Sequence, residues 1–208
     1  MHNSFIIELF ILSLGSDKLS LLGGAYEGGM RLQQVVDEIT PCIFDLLYLD
    51  IQFNNFLEIG SAGGGTAFLF NYYFQFKNIV LIDDNIYLEK IKQPKLRHKN
   101  LEGIKYTEII GNSRSEEVVE KVKALNISFD LMIIDGDHRY SGVRRDADIY
   151  LPLLNKNGYV IFHDTVACRG VKEVFHQMKN NEEFTFINEY ISETWHRPCG
   201  IGVFQKRR

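Results

Sequence analysis

Cysteine, proline and tryptophan are all scarce in this chain of 208 residues, at three, four and one. The cysteines, Cys42, Cys168 and Cys199, are odd in number and far apart, which excludes a disulfide framework and shows no zinc-binding spacing. They read as structural thiols in a reducing compartment, so a cytoplasmic location is expected. With no proline-rich or low-complexity stretch and 45% hydrophobic residues, the chain has the make-up of one domain with a sizeable core. An excess of basic charge is missing as well. The net charge of -4 and pI near 5.9 argue against a nucleic-acid partner, and Lys206, Arg207 and Arg208 read as a solvated tail. Long hydrophobic runs are also absent. Phe5 to Leu14 is about half of what a bilayer needs, includes Glu8 and has no basic segment before it, which excludes a convincing signal peptide or membrane anchor. Ile6, Ile7, Phe10, Ile11 and Leu14 fall at helical spacing, so a helix packed on the domain or on a second subunit of a homo-oligomer is expected.

What the chain does contain is a glycine turn joining a strand to a helix, Asn55 to Ala67, NFLEIGSAGGGTA. Phe56, Leu57 and Ile59 suit a strand buried on both faces, and Glu58 places a carboxylate just before the turn. Gly60, Gly63, Gly64 and Gly65 allow positive φ and close approach of a ligand, and the next helix offers unpaired N–H groups. The spacing is not the dinucleotide fingerprint G-x-G-x-x-G, whose third position is Ala62 in this chain. A tight turn without a ligand is the plainer alternative.

Upstream, Met30 to Asp50 reads as helical, broken or restarted at Pro41 with Thr40 as N-cap. Before it, Gly23, Gly24, Gly28 and Gly29 flank Ala25, Tyr26 and Glu27, a pattern that suits either a flap over a ligand or an ordinary surface loop. Residues 1–50 are therefore expected to form a helical extension and flap, and residues 51–208 the ligand-binding domain. Downstream, the strand Asn78 to Asp84 ends in carboxylates where Asp83 can accept hydrogen bonds from a ribose diol, while Asp84 and Asn85 can cap the next helix. Lys90, Lys92, Lys95, Arg97, His98 and Lys99 read as a solvated face. After a strand at Ile104 to Ile110, Ser113 and Glu116 have capping-box spacing, and Val118, Val119, Val122 and Leu125 line one helix face.

The most specific text runs from Phe129 to Asp164, FDLMIIDGDHRYSGVRRDADIYLPLLNKNGYVIFHD. A strand Phe129 to Asp135, a helix with Val143, Ala147, Tyr150, Leu151 and Leu154 on one face, and a strand Gly158 to Phe162 make a right-handed crossover unit. It sets Asp135, Asp137 and His138 beside His163 and Asp164 on the ligand face of an open α/β sheet. Any one of these would serve as a cap or loop residue; five together point to a site. Asp135, His163 and Asp164 could ligate a divalent metal, and His138 could act as a general base near neutral pH.

The E-x-G-x-x-x-G pattern from Glu58 to Gly64 resembles motif I of class I S-adenosylmethionine-dependent methyltransferases. IDGDH, LPLL and NGYVIFHD are similar to the branch containing catechol and antibiotic-sugar O-methyltransferases, over the chain from Gly23 onward. The resemblance implies an α/β fold: a doubly wound, seven-stranded, mostly parallel sheet with helices on both faces and the last strand antiparallel. A helix from Cys168 to Lys179 and strands from Glu183 to Ile191 and Ile201 to Lys206 would complete it. It also implies S-adenosylmethionine at Glu58, Gly60, Ser61, Ala62, Gly63, Gly64 and Asp83, with Asn112, Ser113 or Arg114 at the adenine and Asp135 and Gly136 alongside. In the metal-dependent members a carboxylate after the fourth strand and a pair after the fifth bind magnesium, positions that fall on Asp135, His163 and Asp164. Imidazole suits manganese, iron, nickel or zinc better than magnesium. Without a metal, His163 would itself be a base, and in sugar-modifying members the histidine matching His138 takes the hydroxyl proton. The expected activity is O-methylation of a small hydroxylated molecule, a sugar or a glycosylated intermediate, with magnesium or manganese as a second cofactor and neither nucleic acid nor membrane as partner. Trp195, His196 and Arg197 suit an acceptor contact or an ordinary loop. A NAD-dependent oxidoreductase and a cofactor-binding module without turnover stay open as alternatives.

Overall fold

In chain order the elements are α1 (Ser4–Leu14), α2 (Val36–Tyr48), β1 (Asn55–Ile59), α3 (Gly65–Phe74), β2 (Asn78–Asp83), α4 (Ile86–Lys90), α5 (Leu96–Asn100) and β3 (Thr107–Ile110). They continue with α6 (Glu116–Ala124), β4 (Phe129–Ile134), α7 (Tyr140–Tyr150), β5 (Leu154–His163), α8 (Arg169–Met178), β6 (Phe184–Ser192) and β7 (Cys199–Lys206). The computed structural model describes residues 4–14, 30, 32–193 and 198–207. The glycine-flanked segment around Ala25, Tyr26 and Glu27, and the trio Trp195, His196 and Arg197, lie outside the described residues.

Side-chain alternation along the strands builds two cores. Phe56, Ile79, Leu81, Leu131, Ile133 and Ile161 point to one face of the sheet, where α1, α2 and α3 cover them with Ile7, Ile11, Ile43, Leu46 and Phe70. Leu57, Ile59, Val80, Ile82, Met132, Ile134 and Phe162 point to the other, under Val118 and Val122 of α6, Val143 and Tyr150 of α7, and Val174 and Phe175 of α8. Strands buried on both sides need helices on both sides, and that makes the sheet doubly wound. Its order is β3-β2-β1-β4-β5-β7-β6, with β1 to β5 parallel and β7 antiparallel between β5 and β6. Ile59 is level with both Ile82 and Ile134, and Ile134 with Phe162. The residues that follow, Gly60, Asp83, Asp135 and His163, therefore emerge side by side at the carboxyl edge.

Several local expectations are corrected. α2 is neither broken nor restarted at Pro41: it runs unbroken from Val36, Thr40 lies inside it, and the residues described before Val36 are not helical. Burial of Ile39, Cys42, Ile43 and Leu46 along one face holds the helix through the proline. Ser113 does not cap α6; Ser115 does, its Oγ accepting from Val118 N at 3.4 Å. β3 is confined to Thr107–Ile110, and β5 begins at Leu154, with a register irregularity opposite Phe129 to Leu131. No helix among the described residues is long and apolar enough to cross a membrane.

Candidate functional site

The glycine turn is shaped by contacts on both sides. Gly60 has φ of +86°, and a Cβ there would overlap the Asp135 carbonyl, so only glycine lets the ends of β1 and β4 come this close. Positive φ falls on Gly60, Gly64 and Ala62, not on Gly63 or Gly65, which are needed for close packing against Leu96 and against Met30 O respectively. Ala62 N donates to Asp83 Oδ2 at 2.8 Å, and Asn85 N donates to Asp83 Oδ1 at 2.7 Å.

The basic segment before β3 is not wholly a solvated face. Lys95, His98 and Lys99 are exposed, but Arg97 is only 1% exposed. Its Nε donates to Ala62 O at 2.7 Å, its Nη1 to Glu108 Oε1 at 2.6 Å, and its Nη2 lies 2.9 Å from Asp83 Oδ1. One guanidinium thus ties the turn, the end of β2 and β3 together.

At the ends of β4 and β5 the polar residues form a connected chain. His163, buried, is gripped at both ring nitrogens: Nδ1 lies 3.0 Å from Asp135 Oδ1 and Nε2 lies 3.2 Å from Glu38 Oε1. Burial opposes its charge, but the two carboxylates prevail and hold its pKa well above the usual histidine range. Burial likewise disfavours charge on Asp135, and His163 and His138 outweigh it, keeping the carboxyl below the usual range. Asp135 Oδ1 also faces His138 Nε2 at 3.2 Å, and its Oδ2 accepts from Gln34 Nε2 at 3.3 Å. The hydrogen bond to Asp135 raises the His138 pKa against partial burial. Asp137 is taken up elsewhere, by Arg139 and Arg114. Ser113 donates to Asp146 Oδ1 at 2.7 Å, and its carbonyl accepts from Tyr150 Oη, so α7 fixes the loop after β3.

These features surround an open cavity of about 430 Å³. Gly60, Ser61, Ala62, Gly63 and Asp83 line it on one side with Asn112, Ser113 and Arg114, and Asp135, Gly136, His138, His163 and Asp164 line it on the other. Glu58 and Gly64 are not among the lining residues. Glu58 is buried behind the turn, where desolvation and the nearby Asp135, against the pull of Arg97, push its pKa up to about 8. Glu38, Gln34 and Arg97 were not singled out from sequence. A signal for Glu38 exists: it shares the apolar stripe of Val35, Ile39 and Cys42.

A methyltransferase domain family model matches residues 57–165, which spans the turn, β2, β3 and both halves of the polar chain on β4 and β5. The chain belongs to this methyltransferase family. An uncharacterised protein of Acanthamoeba polyphaga mimivirus is 30% identical over 112 residues, covering 52% of this chain and 50% of that protein. The chain thus spans about half the length of the curated relative it matches. Among solved structures, the O-methyltransferase of Bacillus cereus in complex with S-adenosylhomocysteine is 14% identical with a TM-score of 0.57, over 100% of this chain and 92% of its own. The N-methyltransferase NodS of Bradyrhizobium japonicum, also with S-adenosylhomocysteine, is 17% identical with a TM-score of 0.60, over 93% and 100%. An rRNA methylase of Streptococcus thermophilus is 11% identical with a TM-score of 0.61, over 82% and 96%. Identities this low establish the class I methyltransferase fold and not the acceptor.

Within this methyltransferase, Asp135, His163 and Asp164 do come together, His163 Nδ1 lying 3.9 Å from Asp164 Oδ2. A divalent cation held by these three would take the Nδ1 lone pair of His163, with Glu38 at Nε2 as the carboxylate behind that ligand.

Proposed function

We propose that this chain is an S-adenosylmethionine-dependent O-methyltransferase acting on a hydroxyl of a small polar molecule, a sugar or a glycosylated intermediate. The observation that carries the reading is a cavity with two differently equipped sides meeting at Asp135. One side suits a nucleoside. A carboxylate has about four acceptor positions, and the hydrogen bonds found on Asp83 among the described residues come from Ala62 N and Asn85 N, with Arg97 beside it as an ion pair, which leaves capacity for a ribose hydroxyl. Asn112 and Ser113 line the cavity where an adenine edge would lie, and the glycines of the turn let its backbone approach the remainder of the cofactor, while the N–H groups of Gly60, Ser61, Ala62 and Gly64 are bonded within the protein.

The other side suits deprotonation. With Asp135 ionised, a proton on His138 Nε2 is held by it, and Nδ1, which lies beside Cys168 Sγ and Asp164 Oδ2, is the nitrogen that receives the acceptor's hydroxyl proton. Asp135 fixes the tautomer and strengthens the base. S-adenosylmethionine, when bound, supplies a methyl group on a sulfonium. The protein's share is to align the acceptor oxygen with it and to hold the proton released. Gln33, Gln34, Asp137 and Arg139 make the remaining wall polar, which favours a hydroxyl-rich acceptor.

Calorimetric titration with S-adenosylhomocysteine, with NAD as control, tests the cofactor; micromolar or tighter binding of the former alone is expected. Binding of NAD in its place would replace this reading with the oxidoreductase. His138→Ala should keep that affinity and lower turnover on a screened hydroxylated acceptor by roughly 100-fold. Wild-type turnover in this variant would remove His138 as the base.

A further inference from the structure

Cys168 shows no zinc-binding spacing in sequence, yet the fold brings it against the two residues that close the acceptor side of the cavity. Asp164 follows β5 with φ of +61°, and Cys168 N donates to its carbonyl at 3.1 Å, so the two side chains stand one turn apart at the start of α8. Gly170 lets α8 press onto the loop after β4, since a Cβ there would overlap the His138 carbonyl and the Tyr140 nitrogen. Cys168 Sγ then lies 3.4 Å from His138 Nδ1 and 3.8 Å from Asp164 Oδ2, and Nδ1 lies 3.6 Å from the same carboxylate oxygen.

Those separations match the ligand sphere of a small tetrahedral ion. Metal–sulfur, metal–nitrogen and metal–oxygen bonds of about 2.3, 2.05 and 2.0 Å place S and N about 3.5 Å apart, N and O about 3.3 Å, and S and O about 3.5 Å. The second shell is also present. His138 Nε2 faces Asp135 Oδ1, the carboxylate partner that turns the other ring nitrogen toward a metal.

We propose that His138, Asp164 and Cys168 form a binding site for a zinc-class divalent cation, with its fourth position open to the cavity that His138 and Asp164 line. The site shares only Asp164 with the ligand set that the family resemblance implies. Sulfur and imidazole donors select zinc, or cobalt as its stand-in, over magnesium. If Nδ1 is the base of the proposed methyl transfer, and this consequence rests on that reading, ion and hydroxyl proton compete for one lone pair.

Cobalt(II) titration of the full chain, read by absorption, tests the site. One equivalent should produce a thiolate-to-cobalt charge-transfer band that zinc displaces, that Cys168→Ser abolishes, that weakens at least tenfold in Asp164→Asn, and that persists in His163→Gln. A wild-type chain with no such band, a band that survives Cys168→Ser, or one lost in a His163→Gln protein that still binds S-adenosylhomocysteine would overturn the assignment. Cobalt and S-adenosylhomocysteine titrations on the same samples separate the two readings. Cofactor binding without a cobalt band defeats the metal site and leaves the methyltransferase reading standing; cobalt binding without cofactor does the reverse.

Discussion

Glu58 illustrates how a single position can be conspicuous in sequence for one reason and matter in the fold for another. Its place before the glycine turn marks motif I, but its side chain is buried behind the cavity wall and its pKa is pushed up to about 8 from an ordinary 4.5. Below pH 4.5 the folded and unfolded chains both carry the proton, and Glu58 makes stability no more dependent on pH. Between 4.5 and about 8 the unfolded chain ionises while the folded chain keeps its proton, so stability falls through that window and levels off above it. Each unit of pH in the window is worth about 1.4 kcal/mol at most. Glu58→Gln removes the titration and should become progressively more stable than the parent as pH rises from 5 to 8, measured by urea denaturation at each pH. Parallel stability profiles for the two proteins would show that Glu58 ionises normally in the fold.

At the scale of elements, the β4–α7–β5 unit gathers the polar cluster because its two strand ends are adjacent and parallel. A right-handed crossover leaves little choice of geometry, and the five polar residues at its ends could be placed from sequence alone. α2 behaved differently. Pro41 lacks the N–H that would bond to the Asp37 carbonyl, a local signal to stop or restart, and the buried stripe of Ile39, Cys42, Ile43 and Leu46 overrides it. Pro41→Ala restores the missing donor and should raise stability by about 1 to 3 kcal/mol in chemical denaturation. An unchanged or lower midpoint would mean that the proline ring's own packing offsets the lost hydrogen bond. α2 also delivers Glu38 to His163, so residues before position 51 take part in the site.

Across the whole molecule, the side of the cavity proposed for the cofactor depends on one buried cation that belongs to neither the turn nor a strand. Arg97, on α5, reaches Ala62, Asp83 and Glu108 at once. Arg97→Ala would leave Asp83 and Glu108 without the counter-charge they share. It should cost about 3 to 5 kcal/mol of stability by urea denaturation, with S-adenosylhomocysteine affinity falling in the same variant. Arg97→Lys should recover little, because an ammonium cannot span three acceptors in a planar fork. A variant as stable as the parent would show that water or another side chain supplies the charge.

Arg97 and Glu38 also mark where reading residues in order ceases to be enough. Strand runs, the glycine turn and the crossover unit are local or set by chirality, so an open α/β sheet and the carboxyl-edge cluster of Asp83, Asp135, His138, His163 and Asp164 were legible from spacing, while the double winding and the seven strands came from the family resemblance. Ser113 and Ser115 show the limit at short range, since both suit a cap and only the path of the chain after β3 selects Ser115. Arg97 sits among lysines and looks solvated until α5 folds under the turn. Glu38 becomes the partner of His163 only when α2 packs beside the end of β5. Cys168 joins His138 and Asp164 only when α8 presses on a loop from another strand. Periodicity and turn chemistry act between neighbours in the chain, and they dictated the sheet and the place of the site. The charge states inside it come from pairs as far apart as Glu38 and His163, which no pattern along the chain encodes until packing removes the water between them.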